Sequence, residues 1–165
     1  MIRGSGGGAT PPPDGPAGCS VPCIAHAVSV PAPVTPAEAS NAVDVPITTG
    51  SRSALVVGPP DLTITYRGTV PPGAAPERVF AQVVDDATGM VLGNQITPID
   101  VTLDGTTHTT TVPLEIVVAA LHPGARLTLQ LVATTVAYAR PRLGGSITFS
   151  SVHVSLPVAS GIAPR

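Results

Sequence analysis

Proline and glycine punctuate this chain too densely for long helices: 20 prolines and 17 glycines are spread over 165 residues. Proline in a helix interior removes a donor and clashes with the preceding turn, and glycine adds entropy to the unfolded chain. What lies between them are short apolar runs rich in Val and Thr, both of which suit strands. Leu62, Ile64 and Tyr66 alternate with Thr63, Thr65 and Arg67, the period-two pattern of a half-buried strand. Leu127, Leu129 and Leu131 alternate against Thr128 and Gln130 in the same way. Ile147 and Phe149 stand out of register with Val152, Val154 and Leu156, so a bulge near Ser150–Ser151 is needed to bring both sets to one face.

Further strands are expected over 43–47, 54–57, 78–84, 90–96 and 106–113. The segment 114–124 is ambiguous, because its apolar residues are contiguous and periodicity does not decide between strand and short helix. Two turns are expected. Asp85-Asp86 followed by "ATG" suits a type I turn closed by a glycine, and Asp104-Gly105 is a strong hairpin signal leading back into 106–113. Such a series of short strands and turns predicts an all-β fold, an antiparallel β-sandwich or jelly roll. Hydrophobic residues make up 43% and aromatic ones 2%, so the core must be aliphatic. The first 36 residues hold eight Pro and six Gly. That composition predicts a disordered Gly/Pro-rich arm or linker over 1–42, a sandwich over 43–158 and a tail over 159–165.

Charge excludes several classes of partner. The formal net charge is −2, and the basic residues, all Arg, are scattered. No basic stripe for nucleic acid is present, and no apolar run reaches the length of a membrane span. The opening residues lack the apolar core of a signal peptide, so none is expected, and the compartment stays open. Cys19 and Cys23 are candidates for a local disulfide or free thiols, too few to close a structural zinc site.

No motif of a catalytic centre is found. The chain has no G-x-S-x-G nucleophile elbow, no H-E-x-x-H and no phosphate loop. Asp85 and Asp86 read as a turn former and a solvated strand end, with too few oxygens nearby for calcium. His26, His108, His122 and His153 are separated in sequence and read as ordinary surface or strand residues. No cofactor is expected. With only Tyr66, Phe80, Tyr138 and Phe149 as aromatics, a sugar-stacking platform has little to draw on.

"DLTITYRGT" (61–69), "VFAQVVDDATGMVLGNQITPIDVTLDG" (79–105), "LHPGARLTLQLVAT" (121–134) and "ITFSSVHVSLPV" (147–158) together resemble the C-terminal β domain of the Xaa-Pro dipeptidyl-peptidase and cocaine-esterase group of serine hydrolases. The resemblance covers roughly 43–158, and its segments are strand-and-turn patterns rather than site motifs. Where the family strand carries His-Arg, this chain has Ala125-Arg126. The resemblance implies a galactose-binding-domain-like jelly roll that packs on an α/β-hydrolase catalytic domain, in the same chain or another, and helps frame its substrate entrance. The family's Ser, Asp and His lie in that other domain, so no catalytic residue carries over. Candidate contacts are the loop 69–77 and the loop 138–145 with Tyr138, Arg140 and Arg142. The alternative reading is a free-standing module that binds a carbohydrate or surface ligand, and a third is self-association through an unguarded Thr-rich edge strand.

Overall fold

The computed structural model of the chain describes residues 2–3, 37–72, 77–135 and 145–159. Among the described residues eleven strands follow one another: β1 (Ile2–Arg3), β2 (Ala42–Thr48), β3 (Ala54–Gly58), β4 (Asp61–Thr69), β5 (Glu77–Asp85), β6 (Met90–Val91), β7 (Thr97–Val101), β8 (Asp104–Pro113), β9 (Val117–Leu121), β10 (Arg126–Val132) and β11 (Ser146–Ser155). All their pairings are antiparallel. Sheet 1 has the order β1-β11-β4-β8. Sheet 2 has β2-β10-β5, with β6 and β7 sharing the far side of β5. Eight of the strands alternate between two sheets in the jelly-roll order, so the chain is an all-β antiparallel sandwich.

The core is aliphatic. Leu62, Ile64, Leu127, Leu129, Leu131 and Ile147 are fully buried between the sheets. The tyrosine that completes the β4 alternation, Tyr66, is also buried, and its hydroxyl accepts the Thr102 amide at 3.0 Å. Removing such side chains from water stabilises a fold by about 1.5–3 kcal/mol each. The bulge expected in β11 is present. The register against β4 shifts between Phe149 and Ser151, and Phe149, Val152, Val154 and Leu156 all pack on the core. The ambiguous segment contributes β9, a strand.

Two expectations need correction. Asp104-Gly105 is not a hairpin turn. β7 pairs with β5 in sheet 2, whereas β8 pairs with β4 in sheet 1, so the chain changes sheets between them. Gly105 (φ +85°) instead sits where the β4–β8 register shifts, a bulge that uses the same left-handed glycine a hairpin would. The expected strand 90–96 stops after Val91, because Gly93 (φ +64°) and Asn94 (φ +55°) fold into a one-turn 3-10 helix over Leu92–Asn94. Ile2–Arg3, inside the expected arm, pairs with Ile147 and Ser146 as the outermost strand of sheet 1.

Residues 37–39 cross the outer face of sheet 2. There Gln82 and Gln130, on central strands, are buried rather than solvated. Gln130 Oε1 accepts the Ala39 amide and Gln82 Nε2, both at 2.8 Å. Gln130 Nε2 donates to the Ala39 carbonyl (3.2 Å) and to Asp44 Oδ1 (2.9 Å), while Gln82 Nε2 also donates to the Ala37 carbonyl at 3.1 Å. Ala39, Phe80, Ile96 and Val132 form a small second core under this strap.

Sheet 1 turns a corner. β3, β9 and residues 157–159 stand side by side. The Val57 amide donates to the Pro157 carbonyl (3.0 Å), the Ala159 amide to the Leu55 carbonyl (2.8 Å), and Val57 pairs with Val118. The order 157–159, β3, β9 repeats the order β11, β4, β8. Three chain segments therefore pass together from the sheet into a ribbon, with Leu114 N–H donating to the Pro60 carbonyl at the bend (2.7 Å). The ribbon closes one end of the core with Val56, Val117 and Leu121.

Candidate functional site

The adjacent carboxylates Asp85 and Asp86 end β5 in a turn. The Asp85 carboxylate accepts the Ala87 amide (3.0 Å) and the Thr88 hydroxyl (3.1 Å), and its carbonyl accepts the Thr88 and Gly89 amides (3.1 and 2.8 Å). Gly89 takes φ +66°, the left-handed position the turn requires. Asp86 is exposed, and its amide donates to the Arg126 carbonyl at 3.1 Å. This turn and the "HPG" turn before β10 flank an open groove of about 480 Å³, lined by Asp85, Asp86, Leu92, His122 and Arg126 among others. Among the described residues no Phe, Tyr or Trp lines it.

The structure brings together one polar cluster that the sequence divides between an expected turn (Asp104) and an expected strand (Thr106 and His108). Asp104, Thr106 and His108 alternate along β8 and meet on one side of it. His108 Nε2 lies 2.9 Å from Asp104 Oδ1 and 3.0 Å from Thr106 Oγ1, which is itself 2.7 Å from Asp104 Oδ1. Hydrogen bonds from His108, and from the Thr106 amide and hydroxyl, hold the Asp104 carboxyl well below the usual carboxylate range. A nucleophilic relay needs the carboxylate on one ring nitrogen and the hydroxyl on the other. Here a single nitrogen faces both, so the cluster ties down the start of β8 and is not built for acyl transfer. The D-x-T-x-H spacing was the signal that could have revealed it, since alternate strand residues share a face.

His122 borders the groove, and His153 is exposed on the outer face of sheet 1 opposite Thr63. Among the described residues no three His, Cys, Asp or Glu side chains gather as a metal site would require. No helix among them is long and apolar enough to cross a membrane. Cys19, Cys23, His26, Tyr138, Arg140 and Arg142 lie outside the described residues.

The most distinctive surface is the outer face of the corner ribbon. Over β11, β4 and β8 the outer face of the sheet is hydroxyl-rich, with Thr63–Thr111 and Thr65–Thr109 hydroxyl pairs at 2.9 and 3.0 Å. Past the bend the same three segments turn apolar outward. Val118 is 67% exposed, Ile116 64% and Val57 45%, with Leu55, Ala120 and Pro157 beside them. Among the described residues no charged side chain belongs to this face. The sequence shows Val and Ile here but not which way they point, because contiguous apolar residues hide the pleat.

Neither the family models nor the curated proteins searched give a match. Among solved structures, the chain is similar to a CocE/NonD family hydrolase from Staphylococcus aureus, with a TM-score of 0.49 and 10% identity over 73% of this chain. The match spans 31% of that hydrolase's length.

Proposed function

We propose that this chain is a non-catalytic accessory sandwich of a serine hydrolase of the dipeptidyl-peptidase or esterase type, packing on an α/β-hydrolase domain in the same polypeptide or a separate one and framing its substrate entrance. The observation that carries the packing role is the exposed apolar face of the ribbon. A face meant for water would continue the Thr pattern of the same sheet, and contiguous exposed apolar patches mark interaction sites. The kind of partner is supported by the sequence resemblance of roughly 43–158. β3 and β9, each about 17 Å long, and the segment 157–159, about 10 Å long, lie about 4.8 Å apart and give the face roughly 210 Å². That suits the apolar centre of an inter-domain contact, which buries about 600–1,500 Å² in all.

The test is affinity capture with the chain from its own cell lysate and medium, with a fluorophosphonate probe marking serine hydrolases and mass spectrometry reading them. The expected result is a labelled α/β-hydrolase retained by the wild type and lost with Val118→Glu. Hydrolysis of p-nitrophenyl esters or p-nitroanilides by the purified chain, blocked by a serine-directed inhibitor, would overturn the non-catalytic role. Capture that recovers no hydrolase would overturn the choice of partner.

A further inference from the structure

Among the described residues the two sheets have four lateral edges, and three are blunted against further pairing. β1 is two residues long and covers only Ser146 and Ile147 of β11, whose remaining edge is interrupted by the bulge between Phe149 and Ser151. β2 carries Asp44 and Pro46. On the far side of β5, β6 has two residues, a 3-10 turn follows, and β7 has five residues including Pro98. Short strands, prolines and charges are the devices that blunt sheet edges. β8 differs. It has ten residues, none of them buried, and among the described residues it pairs with β4 alone. Between its bulge at Gly105 and Pro113 run Thr106–Val112, with no proline and no acidic, Lys or Arg side chain.

We infer that β8 is a strand-addition edge and that its occupant is a second copy of this chain, paired antiparallel about a two-fold axis. Three observations favour an identical strand. An antiparallel β8–β8 joint centred near Thr109 sets threonines against threonines, extending the hydroxyl pairs that already link β8 to β4. Asp104 is the first residue of the strand, so the joint places the two Asp104 carboxylates at its opposite ends, far from each other. A foreign peptide added to an edge draws its specificity from side-chain pockets. The groove at the Asp85 turn, the opening of about 240 Å³ between Ile47 and Leu156, and the small hollow at Gln82 all lack β8 residues in their walls. One strand pair of this length buries less than a standard interface of about 1,600 Å², so the dimer is weak and forms with concentration.

Sedimentation velocity of the full chain, from about 5 µM to about 500 µM, tests this directly. The wild type shifts from monomer to dimer over that range. Thr109→Lys, which sets two ammonium groups across the joint, weakens association at least about tenfold. Val118→Glu, on the ribbon, dimerises like the wild type. If Thr109→Lys fails to fold, Thr107→Lys on the same strand and face reads the same joint. A wild type that stays monomeric at the highest concentration overturns the proposal, as does a dimer that both Lys variants leave intact. A dimer lost only in Val118→Glu assigns self-association to the ribbon instead and equally overturns it.

Discussion

Replacing Gln130 by Met should cost far more than any change on the exposed Thr face, although neither touches the aliphatic core. Gln130 is fully buried and makes four hydrogen bonds, two accepted and two donated. Met keeps the volume and removes all four. The Asp44 carboxylate is exposed and returns to water at little cost. The Ala39 amide and carbonyl and the Gln82 carboxamide cannot, since Ala39 is 4% and Gln82 1% exposed. Each stranded buried group costs about 1–3 kcal/mol, which sets the loss at about 3–9 kcal/mol. A domain has about 5–15 kcal/mol in total, so the variant should lose a large fraction of its stability. Urea unfolding monitored by far-UV circular dichroism measures the change, and hydrogen exchange adds a local readout, in which the Ala39 amide should become fast. Thr109→Ala provides the reference and should stay within about 0.5 kcal/mol of the wild type. If Gln130→Met unfolds within about 0.5 kcal/mol of the wild type, the strap at 37–39 is not held by this carboxamide and the reasoning fails.

Leu129→Ala empties a fully buried position on the central strand of sheet 2 and should cost about 2–5 kcal/mol in the same urea assay. Gly68→Ala places a methyl 2.5 Å from the Ser146 carbonyl oxygen and 2.6 Å from Leu103, so it should lower the thermal midpoint markedly, as differential scanning calorimetry can show. Asp104 should give a pH signature. Because its folded carboxyl is held below the ordinary value, its contribution is full above about pH 4 and fades as the pH falls through the folded value. The stability gap between wild type and Asp104→Asn should therefore close as the pH falls from about 4 into strong acid. Val118→Glu should leave the melting temperature nearly unchanged while reducing binding of an apolar dye.

The parts legible in the sequence were those fixed by local pattern. Leu62, Ile64 and Tyr66 announced a core face because a strand's period is two, and the slip between Phe149 and Val152 announced a bulge because only an extra residue restores that face. The Asp85 turn was legible for the same reason, since aspartate and glycine act on their own neighbours. What escaped was non-local. Asp104-Gly105 carries the chemistry of a hairpin, and nothing nearby tells it from a bulge in a strand whose partner lies 35 or more residues away. Gln130 looked solvated because its neighbours alternate, but residues 37–39 arrive from far along the chain to cover it. The apolar ribbon face was written in plain sight as valines and isoleucine, yet its exposure depends on the bend that sets three segments side by side.

The strand order has a kinetic consequence. β10 and β11 are central to their sheets, yet they come after nearly every strand they must join. Leu131 finds Val43 and Val154 finds Leu62 only after most of the chain between them exists. The β5–β6 turn can close on its own, but neither sheet can be completed until these late strands insert between partners already made. Such distant pairing makes folding slow, and while β11 is awaited, the flanks of β4 and β1 stay unpaired. During synthesis the molecule thus spends its longest interval with strand edges exposed, and proteolysis or chaperone capture would be felt most strongly in the moments before Ser146–Ser155 emerges.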